Sequence, residues 1–378
     1  MPARALLPDR SDEPTWLRPA GCNSVLKYTG DPALQREIRD EAAAYFERTG
    51  IARDGGVRML LKSLIIVSWV VATYLLMLFV ATEAWQFVLL AFSMGLALAG
   101  VGFSIQHDGG HGAYSSRPWV SRIAALALDA IGGSSYMWHY KHNVLHHTYP
   151  NVEQVDDDIS QAPWLRLSST DPYFPVHRYQ FVYSWLLYIF MTPKWLFVDD
   201  FKRLFTQRAG PRRVPPPTPR GIATLVLGKI FAYTWMLVIP LSIHGPSWSL
   251  FGLYVLIAWI WGLAMAITFQ LAHCNDTAEF GSWPGEDKPM AMGWAEQQIA
   301  TTVNFSQGNP VLTWYLGGLN YQIEHHLFPK VCHIHYPGLS RVVKDVCERR
   351  GVAYRVQPTM WSALRSHIGH LKRMGAAA

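Results

Sequence analysis

The chain reads SLIIVSWVVATYLLMLFVA over residues 63–81 and WQFVLLAFSMGLALAGVGFSI over residues 85–105. Neither run contains a charged side chain. As a helix that rises about 1.5 Å per residue, each is long enough to cross a hydrocarbon core of about 30 Å. Only Thr82, Glu83 and Ala84 separate the two runs, which therefore predict a helical hairpin in a membrane, over residues 63–105.

A second hairpin is predicted over residues 222–270. Residues 248–270 are uncharged, and residues 222–243 contain one charge, that of Lys229. We expect Lys229 to lie near a membrane interface, where its alkyl stem can bring the ammonium group to water. Half of the chain is hydrophobic and only 16% is charged, which favours an all-α integral membrane protein with four spans over several soluble domains.

Positive charges predict the orientation of both hairpins. The connections at residues 81–84 and 242–247 contain no Lys or Arg, whereas basic residues flank the opposite ends of the apolar runs. Because such residues are retained on the cytoplasmic side, both termini are expected there. Residues 106–221 and 271–378 are then expected to form a helical cap on the cytoplasmic face.

The remaining segments are expected at the membrane surface. Asp31 and Pro32 predict the start of an amphipathic interfacial helix that continues to Arg48, within a cytoplasmic segment of residues 1–62. Residues 119–138 and 181–198 are apolar but contain charges, which favours interfacial or re-entrant helices. Residues 210–219, GPRRVPPPTP, predict a stiff basic linker. Beyond the hairpins the sequence has no internal repeat, so residues 1–378 are treated as one domain.

Charge and cysteine content indicate how the chain is delivered to the membrane, whether it forms disulfides and what it binds. The first thirty residues contain charges, four prolines and no apolar core, so they predict no cleavable signal peptide. The four cysteines, at 22, 274, 332 and 347, form no Cys-x-x-Cys motif and are expected to be free thiols. The net charge of +6 fits a membrane-facing rim, an acidic redox partner or an anionic acyl headgroup. No nucleic-acid partner is expected.

Three histidine clusters lie on the predicted cytoplasmic side: HDGGH at 107–111, HNVLHH at 142–147 and QIEHH at 322–326. Residues four apart on a helix share a face, so such a pair can bind one metal ion. The adjacent His147 points about 100° around the helix, toward a second metal or the other side of the same pocket. By chance, a His-x-x-x-His-His triplet is expected on the order of 0.02 times in this chain. Two metal ions are therefore predicted, and imidazole suits iron, zinc and copper.

These motifs resemble those of the membrane fatty acyl desaturases, in particular the front-end branch whose third histidine box begins with Gln. The stretch GGLNYQIEHHLFP at 317–329 carries most of this likeness. Asp156–Asp158 after the second box and QLAH at 270–273 also match. The resemblance extends over most of the chain from about residue 60 onward.

The resemblance implies a non-haem di-iron oxidoreductase that uses O2 and two electrons to form a cis double bond in a fatty acyl chain, supplied as acyl-CoA or as membrane lipid. It implies no catalytic residue beyond the iron ligands, which would be His107, His111, His142, His146, His147, His273, His325 and His326. Gln322 fills the slot where other branches place a ninth His, and its binding to iron, directly or through water, is left open.

The resemblance also bears on partners. Many eukaryotic front-end desaturases carry a fused haem domain with a His-Pro-Gly-Gly motif, which this sequence lacks. The chain thus resembles bacterial members, which implies a bacterial cytoplasmic membrane. It also implies a separate electron donor, ferredoxin-like or cytochrome-type, with its reductase.

Further residues are expected around the irons. Metal-bound imidazoles are usually held by a carboxylate or carbonyl. The candidate carboxylates are Asp108, Asp156, Asp157, Asp158, Asp276 and Glu324. Asp158 and Glu324 are preferred, with His139 and Asn304 as further candidates for supporting positions. The candidate walls of a narrow apolar substrate tunnel are Tyr136, Trp138, Trp195, Trp259, Trp261 and Trp314.

Other functions are compatible with parts of the pattern. A fatty acyl hydroxylase or acetylenase would keep the same iron ligands. It would differ in the fate of the oxidant after the first hydrogen is removed from the acyl chain. A membrane zinc hydrolase would need fewer ligands and an activated water. A metal transporter would place polar ligands within its spans, which are nearly free of charge in this sequence.

Overall fold

Helices make up almost all of the regular structure in the computed structural model, which describes residues 28–209, 212–282, 284 and 288–376. Two parts of the chain on which predictions were made lie outside the described residues. They are residues 1–27, which include Cys22 and most of the stretch predicted to lack a signal peptide, and residues 210–211 of the predicted linker. The helices of the first half are α1 (Ala33–Thr49), α2 (Gly56–Phe79), α3 (Ala84–Gly100), α4 (His107–His111), α5 (Pro118–Ala125), α6 (Ala127–Ala130), α7 (Ser135–Trp138), α8 (Gln180–Leu187), α9 (Met191–Lys194) and α10 (Asp200–Thr206).

The second half of the chain is equally helical. Its helices are α11 (Pro219–Tyr233), α12 (Ile239–His244), α13 (Trp248–His273), α14 (Trp294–Ala300), α15 (Pro310–Tyr315), α16 (Gln322–Leu327), α17 (Tyr336–Arg350) and α18 (Met360–Met374). Short π-helical turns lie at Val101–Gln106, His139–His146, Trp195–Asp199 and Thr234–Val238, and 3₁₀ turns lie at Pro175–Tyr179, Tyr188–Phe190 and His333–His335. Strand β1 (Arg208–Ala209) pairs antiparallel with β2 (Arg212–Arg213), and β3 (Asn304–Phe305) pairs parallel with β4 (Val356–Gln357).

The first predicted hairpin forms α2 and α3. Its turn is fixed by Gln86, whose Oε1 accepts hydrogen bonds from the backbone N–H groups of Thr82 (2.8 Å) and Glu83 (3.0 Å). At the other end α3 continues through a π-helical turn into α4, so that one helix covers Ala84–His111. The membrane-spanning helix therefore carries the first histidine box on its own last turn.

Helix α3 lies at the centre of the bundle, packed against α2 and α13. Gly95 permits the close approach of α13, because a Cβ atom at this position would lie 2.8 Å from the Ile260 side chain. Both helices end at histidines, His111 on α4 and His273 on α13. Tight helix packing therefore brings the first box and His273 to the same end of the bundle.

Lys229 corrects a prediction made from the sequence. Its ammonium group does not reach water, because the residue is buried with 4% of its surface exposed. Its ammonium group donates hydrogen bonds to the carbonyl oxygens of Gly132 and Leu196, and it forms an ion pair of 2.8 Å with the buried Asp200 carboxylate. Because a charge partner and two acceptors surround it, the ammonium group is stable inside the protein without reaching water.

Helix α1 begins as predicted, since Asp31 Oδ1 accepts a hydrogen bond from the backbone N–H of Ala33 (2.8 Å). Its buried face, which includes Leu34, Ile38 and Phe46, packs against α17 and α14. The sequence predicts an amphipathic helix at the membrane interface. The structure shows that the apolar stripe is covered by the C-terminal helices of the same chain.

Five helices of the described residues are long and apolar enough to cross a bilayer, one more than the sequence predicted. Four of them contain the predicted runs: Gly56–Phe79, Ala84–His111, Pro219–His244 and Trp248–His273. The fifth, Pro175–Thr206, contains the segment expected to be interfacial or re-entrant, and it is a succession of short α-helical, 3₁₀ and π-helical pieces. Residues 119–138, the other such segment, fold into the three short helices α5, α6 and α7.

Candidate metal centre

Four parts of the chain bring the predicted ligands together. Helix α4 carries His107 and His111, and the π-helical turn His139–His146 carries the second box. His273 is the last residue of α13, and the third box forms the short helix α16. In a π-helical turn the residues are wound more widely than in an α-helix, a feature that is frequent at functional sites.

The ligand nitrogens fall into two groups, each with its atoms within 4.8 Å of one another. The first group is formed by His107, His111, His142 and His325. The second group is formed by His146, His273 and His326. His147 lies within the same distance of both His325 and His326, so it stands between the groups. This geometry fits two neighbouring cations and resolves the direction of His147, which the sequence left open.

Many of these nitrogens are buried without a hydrogen-bond partner among the described residues. The atoms concerned are Nε2 of His107, His111, His325 and His326 and Nδ1 of His147 and His273. Leaving one buried polar atom unpaired costs about 1–3 kcal/mol. A cluster of such atoms on rings whose ligand nitrogens lie within 4.8 Å of one another therefore fits metal ions, whose preferred ligands include neutral imidazole.

Burial keeps most of the imidazoles of the cap neutral. It holds the pKa values of His142, His147, His325 and His326 well below their usual range, and the neighbouring histidines lower them further. His146 differs, because the Asp156 carboxylate outweighs the effect of burial and raises its pKa. Neutral rings leave a nitrogen lone pair free for a metal ion.

Asp156 is the carboxylate closest to a second-box ring. Its Oδ2 accepts a hydrogen bond from His146 Nδ1 (3.0 Å) and another from the backbone N–H of Asn151 (2.9 Å). Asp158, which the sequence favoured, lies 3.4 Å from the same His146 nitrogen and 2.6 Å from Lys141 Nζ. Asp156 therefore fixes the orientation of His146, and Asp158 contributes mainly through charge.

Two supporting residues of the third box were not found from the sequence. Gln298 Oε1 lies 2.9 Å from His326 Nδ1, and the Tyr336 hydroxyl lies 3.3 Å from His325 Nδ1. Each contact occupies one ring nitrogen, and Nε2 of both rings is buried without a partner among the described residues. Gln298 is 28 residues from its histidine on a separate helix, so no local pattern could have indicated it.

Glu324 and Asn304 hold the third box in place but contact none of its imidazoles. The Glu324 carboxylate accepts hydrogen bonds from Asn304 Nδ2 (2.8 Å) and the Tyr354 hydroxyl (2.8 Å), while Asn304 Oδ1 accepts one from the backbone N–H of Ile323 (2.9 Å). Burial raises the pKa of Glu324 to about 7. The expectation that Glu324 holds an imidazole is therefore corrected: it anchors the helix that carries the imidazoles.

Gln322 adjoins the second group of nitrogens. Its Nε2 is 2.9 Å from His273 Nε2, and its Oε1 is buried without a partner among the described residues. The side chain thus contacts one ring of that group. His139 lies farther out, with Nδ1 3.3 Å from Asn143 Nδ2, and it belongs to neither group of nitrogens.

A second buried polar cluster adjoins the first box. His333 Nδ1 donates to Asp108 Oδ2 (2.8 Å), and its Nε2 accepts a hydrogen bond from the Lys62 ammonium group (2.8 Å). These hydrogen bonds link α2, α4 and the segment after the third box. It explains why Asp108 is held away from the two groups of nitrogens.

A cavity of about 820 Å³ reaches the centre. His111, His147 and His326 form part of its wall, together with Tyr136 and Trp138, two of the predicted tunnel residues. The volume lies within the range of about 300–1,000 Å³ that is typical of small-molecule sites. The cavity therefore gives a substrate access to both groups of histidines.

The other predicted tunnel residues do not line this cavity. Trp261 is buried in the helix core, and Trp259 and Trp314 are each 41% exposed on the outside of the molecule. The Trp195 indole donates a hydrogen bond to Asp200 Oδ1 (3.2 Å). These four tryptophans pack in the core or lie at the outer surface, and none of them lines the cavity.

Comparisons with known proteins agree with this geometry. Residues 83–358 match the family model described as fatty acid desaturase. A sn-1 linoleoyl-lipid 6-desaturase of Arthrospira platensis is 38% identical over 342 residues, which cover 90% of this chain and 92% of the relative. The protein of the same name from Synechocystis is 35% identical over 93% of this chain and 98% of its own length. An acyl-lipid (8-3)-desaturase of Physcomitrium patens is 37% identical over 89% of this chain and 71% of its own length. The chain therefore belongs to the fatty acid desaturase family and is an oxidoreductase that desaturates fatty acyl chains.

Proposed function

We propose that two histidine-bound irons form the reactive centre of this desaturase. The observation that carries the proposal is the pair of nitrogen groups, one around His107 and His325 and the other around His273 and His326, with His147 between them. Gln322 completes the second group. When bound, two irons would supply the O2-dependent oxidation in which O2, two electrons and two protons are consumed, two hydrogens leave neighbouring methylene carbons, and a cis double bond and two water molecules form.

The chain's own residues would orient the centre and exclude water from it. Asp156 and Gln298 each occupy Nδ1 of one histidine, so that Nε2 of His146 and of His326 is available for metal. The Trp138 ring stacks on His142 at 4.4 Å between ring centroids and also lines the cavity. An acyl chain that passes Trp138 would therefore lie against the histidines.

The proposed substrate is an acyl chain that is already attached to a membrane lipid. Two relatives that align over almost their whole length are sn-1 linoleoyl-lipid 6-desaturases. By this likeness we assign a lipid-linked linoleoyl chain as substrate and carbon 6 as the site of the new double bond. The alternative of acyl-CoA as the acyl carrier is tested by the experiments below.

We propose four membrane spans, with Pro175–Thr206 as a re-entrant segment. At its start, His177 Nε2 donates to the carbonyl oxygen of Pro163 (2.8 Å), and at its end Arg203 forms an ion pair with Asp157 (3.0 Å). Those two partners belong to one turn-rich loop next to Asp156, on the histidine side. Contacts at both ends with the same loop support a segment that enters the bilayer and returns.

The cap residues 106–221 and 271–378 are proposed to form one cytoplasmic unit. Its two parts are joined at the site, where Asn151 Nδ2 donates to the carbonyl oxygen of His273 (2.8 Å) and His333 donates to Asp108 (2.8 Å). In this arrangement the enzyme lies in a bacterial cytoplasmic membrane. It receives electrons from a separate ferredoxin-like or cytochrome-type protein and its reductase.

The test is expression in a bacterial host that makes no polyunsaturated lipid and is supplied with linoleate. Gas chromatography with mass spectrometry of membrane fatty acids should show a product with one further double bond at carbon 6. The product should disappear with His146→Ala and persist with His244→Ala, which changes a residue at the far end of α12. A hydroxylated product, or equal losses from both substitutions, would contradict the proposal.

A further inference from the structure

The charged residues that line the 820 Å³ cavity are all basic. Arg122, Arg220 and Lys330 are part of its wall, and no Asp or Glu is among the residues that line it. They come from three distant parts of the chain: α5, the first turn of α11 and the loop after α16. Their convergence on one cavity is therefore a product of the fold and not of local sequence.

These three cations are exposed, whereas His111, His147 and His326 of the same cavity wall are buried or half-buried. Within the described part of the chain, no carboxylate lies within ion-pair distance of any of them. Lys141, another cation near the site, does have an acidic partner, because it forms an ion pair with Asp158 at 2.6 Å. The entrance thus carries positive charge that the acidic residues in the described part of the chain do not neutralise.

The residues around the entrance are of the kind expected at a membrane surface. Arg220 stands in the first turn of the apolar helix Pro219–His244. Arg122 lies on α5 between the apolar side chains Trp119, Ile123 and Leu126, which are 58%, 61% and 44% exposed. An amphipathic helix with such a face lies at a lipid surface, so a ligand that binds these cations is presented from the bilayer.

We propose that Arg122, Arg220 and Lys330 bind the phosphate of an anionic phospholipid headgroup while its acyl chain enters the cavity. Guanidinium groups bind phosphate oxygens in a two-pronged geometry, and clustered basic residues at a membrane surface favour anionic lipids. The inference rests on the proposed function, since it names the lipid class whose acyl chain is desaturated. It favours phosphatidylglycerol over uncharged glycolipids or zwitterionic phosphatidylcholine.

The first test is binding, which does not depend on turnover. The purified full-length chain is equilibrated with equimolar phosphatidylglycerol and phosphatidylcholine that carry identical linoleoyl chains, and the retained lipids are counted by mass spectrometry. We expect wild type to retain phosphatidylglycerol preferentially. Each substitution Arg122→Gln, Arg220→Gln or Lys330→Gln should reduce this preference on the order of fivefold. Arg117→Gln is the matched control, because Arg117 is exposed on the neighbouring turn but does not line the cavity.

The second test is desaturation in vesicles with an electron-donor system. Phosphatidylglycerol should be converted with a lower KM than phosphatidylcholine or a galactolipid, and the three substitutions should raise that KM with little change in kcat. Arg122→Lys and Arg220→Lys should retain most of the preference, which separates loss of charge from misfolding. Soluble linoleoyl-CoA, the other phosphate-bearing carrier, should be a poorer substrate.

Four results would overturn the inference. The lipids could be retained equally by wild type. The Gln variants could keep the preference of Arg117→Gln. The variants could desaturate more slowly only when the electron donor is an acidic protein. That result would assign the three cations to docking of the donor protein. Preferential conversion of linoleoyl-CoA would assign the site to acyl-CoA. Failure of wild type to desaturate any lipid would instead contradict the proposed function, and the binding test would still decide the inference.

Discussion

Replacing Asp156 with Asn tests how the second histidine box is held. Oδ2 of Asp156 accepts hydrogen bonds from His146 Nδ1 and from the backbone N–H of Asn151, and Oδ1 accepts one from the backbone N–H of Asp158 (3.0 Å). All three contacts are donors aimed at the carboxylate. Because Asn has one oxygen and one NH2 group, either orientation of its amide places a donor against a donor.

The magnitude follows from the contacts that are lost. A hydrogen bond to a charged group contributes about 1.5–3 kcal/mol, and removing the partner of a metal-bound imidazole typically costs 10- to 100-fold in metal affinity or activity. We therefore expect Asp156→Asn to lower metal affinity by about 1.4–2.8 kcal/mol. Activity in membranes with a saturating donor should fall by a similar factor.

The assay is metal content per chain after dialysis against a graded series of chelator concentrations, together with the rate of product formation. Asp157→Asn is the matched control, because Asp157 pairs with Arg203 and not with an imidazole. The control should retain metal like wild type. If Asp156→Asn retained metal and activity while Asp158→Asn lost both, the assignment of Asp156 as the residue that holds His146 would be refuted.

Three further predictions concern the frame around the site. Lys229→Met should destabilise the protein by about 3–5 kcal/mol, since it leaves a buried carboxylate unpaired, whereas Lys202→Met at an exposed position should leave the thermal midpoint in detergent unchanged. Gly110→Ala should reduce activity more than tenfold and cost about 1–3 kcal/mol, because the added methyl group would lie 2.3 Å from a tryptophan ring; Gly252→Ala, which meets nothing within 4 Å, should be tolerated. His370 has its pKa lowered by burial to about 4. The unfolded chain therefore binds this proton first, and the free energy of unfolding should fall by up to about 1.4 kcal/mol per pH unit between pH 6.5 and 4. His370→Gln should show a shallower decline in thermal midpoint over this range, and an identical decline would exclude His370 as its source.

The apolar spans and histidine ligands were predictable from the sequence because each depends on local spacing. A charge-free run of about twenty residues has few alternatives to a membrane helix. Histidines four apart must share a helical face. These rules located α2, α3 and α13 and placed the boxes on one side, and the structure brings all eight predicted histidines together.

The sequence could not show which residues hold those histidines. Gln298 and Tyr336 contact the third box from separate helices, so their role depends on packing and not on spacing. For the same reason, the sequence could not show whether Asp156 or Asp158 holds His146. The two carboxylates are two residues apart, and the backbone turn between them decides which one contacts the ring. Side-chain direction within a loop is set by long-range contacts such as that of Asn151 with His273.

The sequence also could not show that the charge of Lys229 has a buried partner. A lone Lys in a predicted span suggests an interface, but Lys229 meets Asp200 from a segment about thirty residues earlier. The tryptophans raise a similar difficulty, because composition does not distinguish a tunnel wall from a ring in the core or at the outer surface. Only Tyr136 and Trp138, which lie next to the second box, could be placed by proximity in the chain.

The central claim is that histidines from three boxes and from the end of α13 bind two irons. The most direct test is the metal content of the purified chain, measured by plasma mass spectrometry against protein concentration. The account predicts close to two irons per wild-type chain and a clear loss of iron from His273→Ala. One zinc per chain without iron, or an iron content that His273→Ala leaves unchanged, would contradict it.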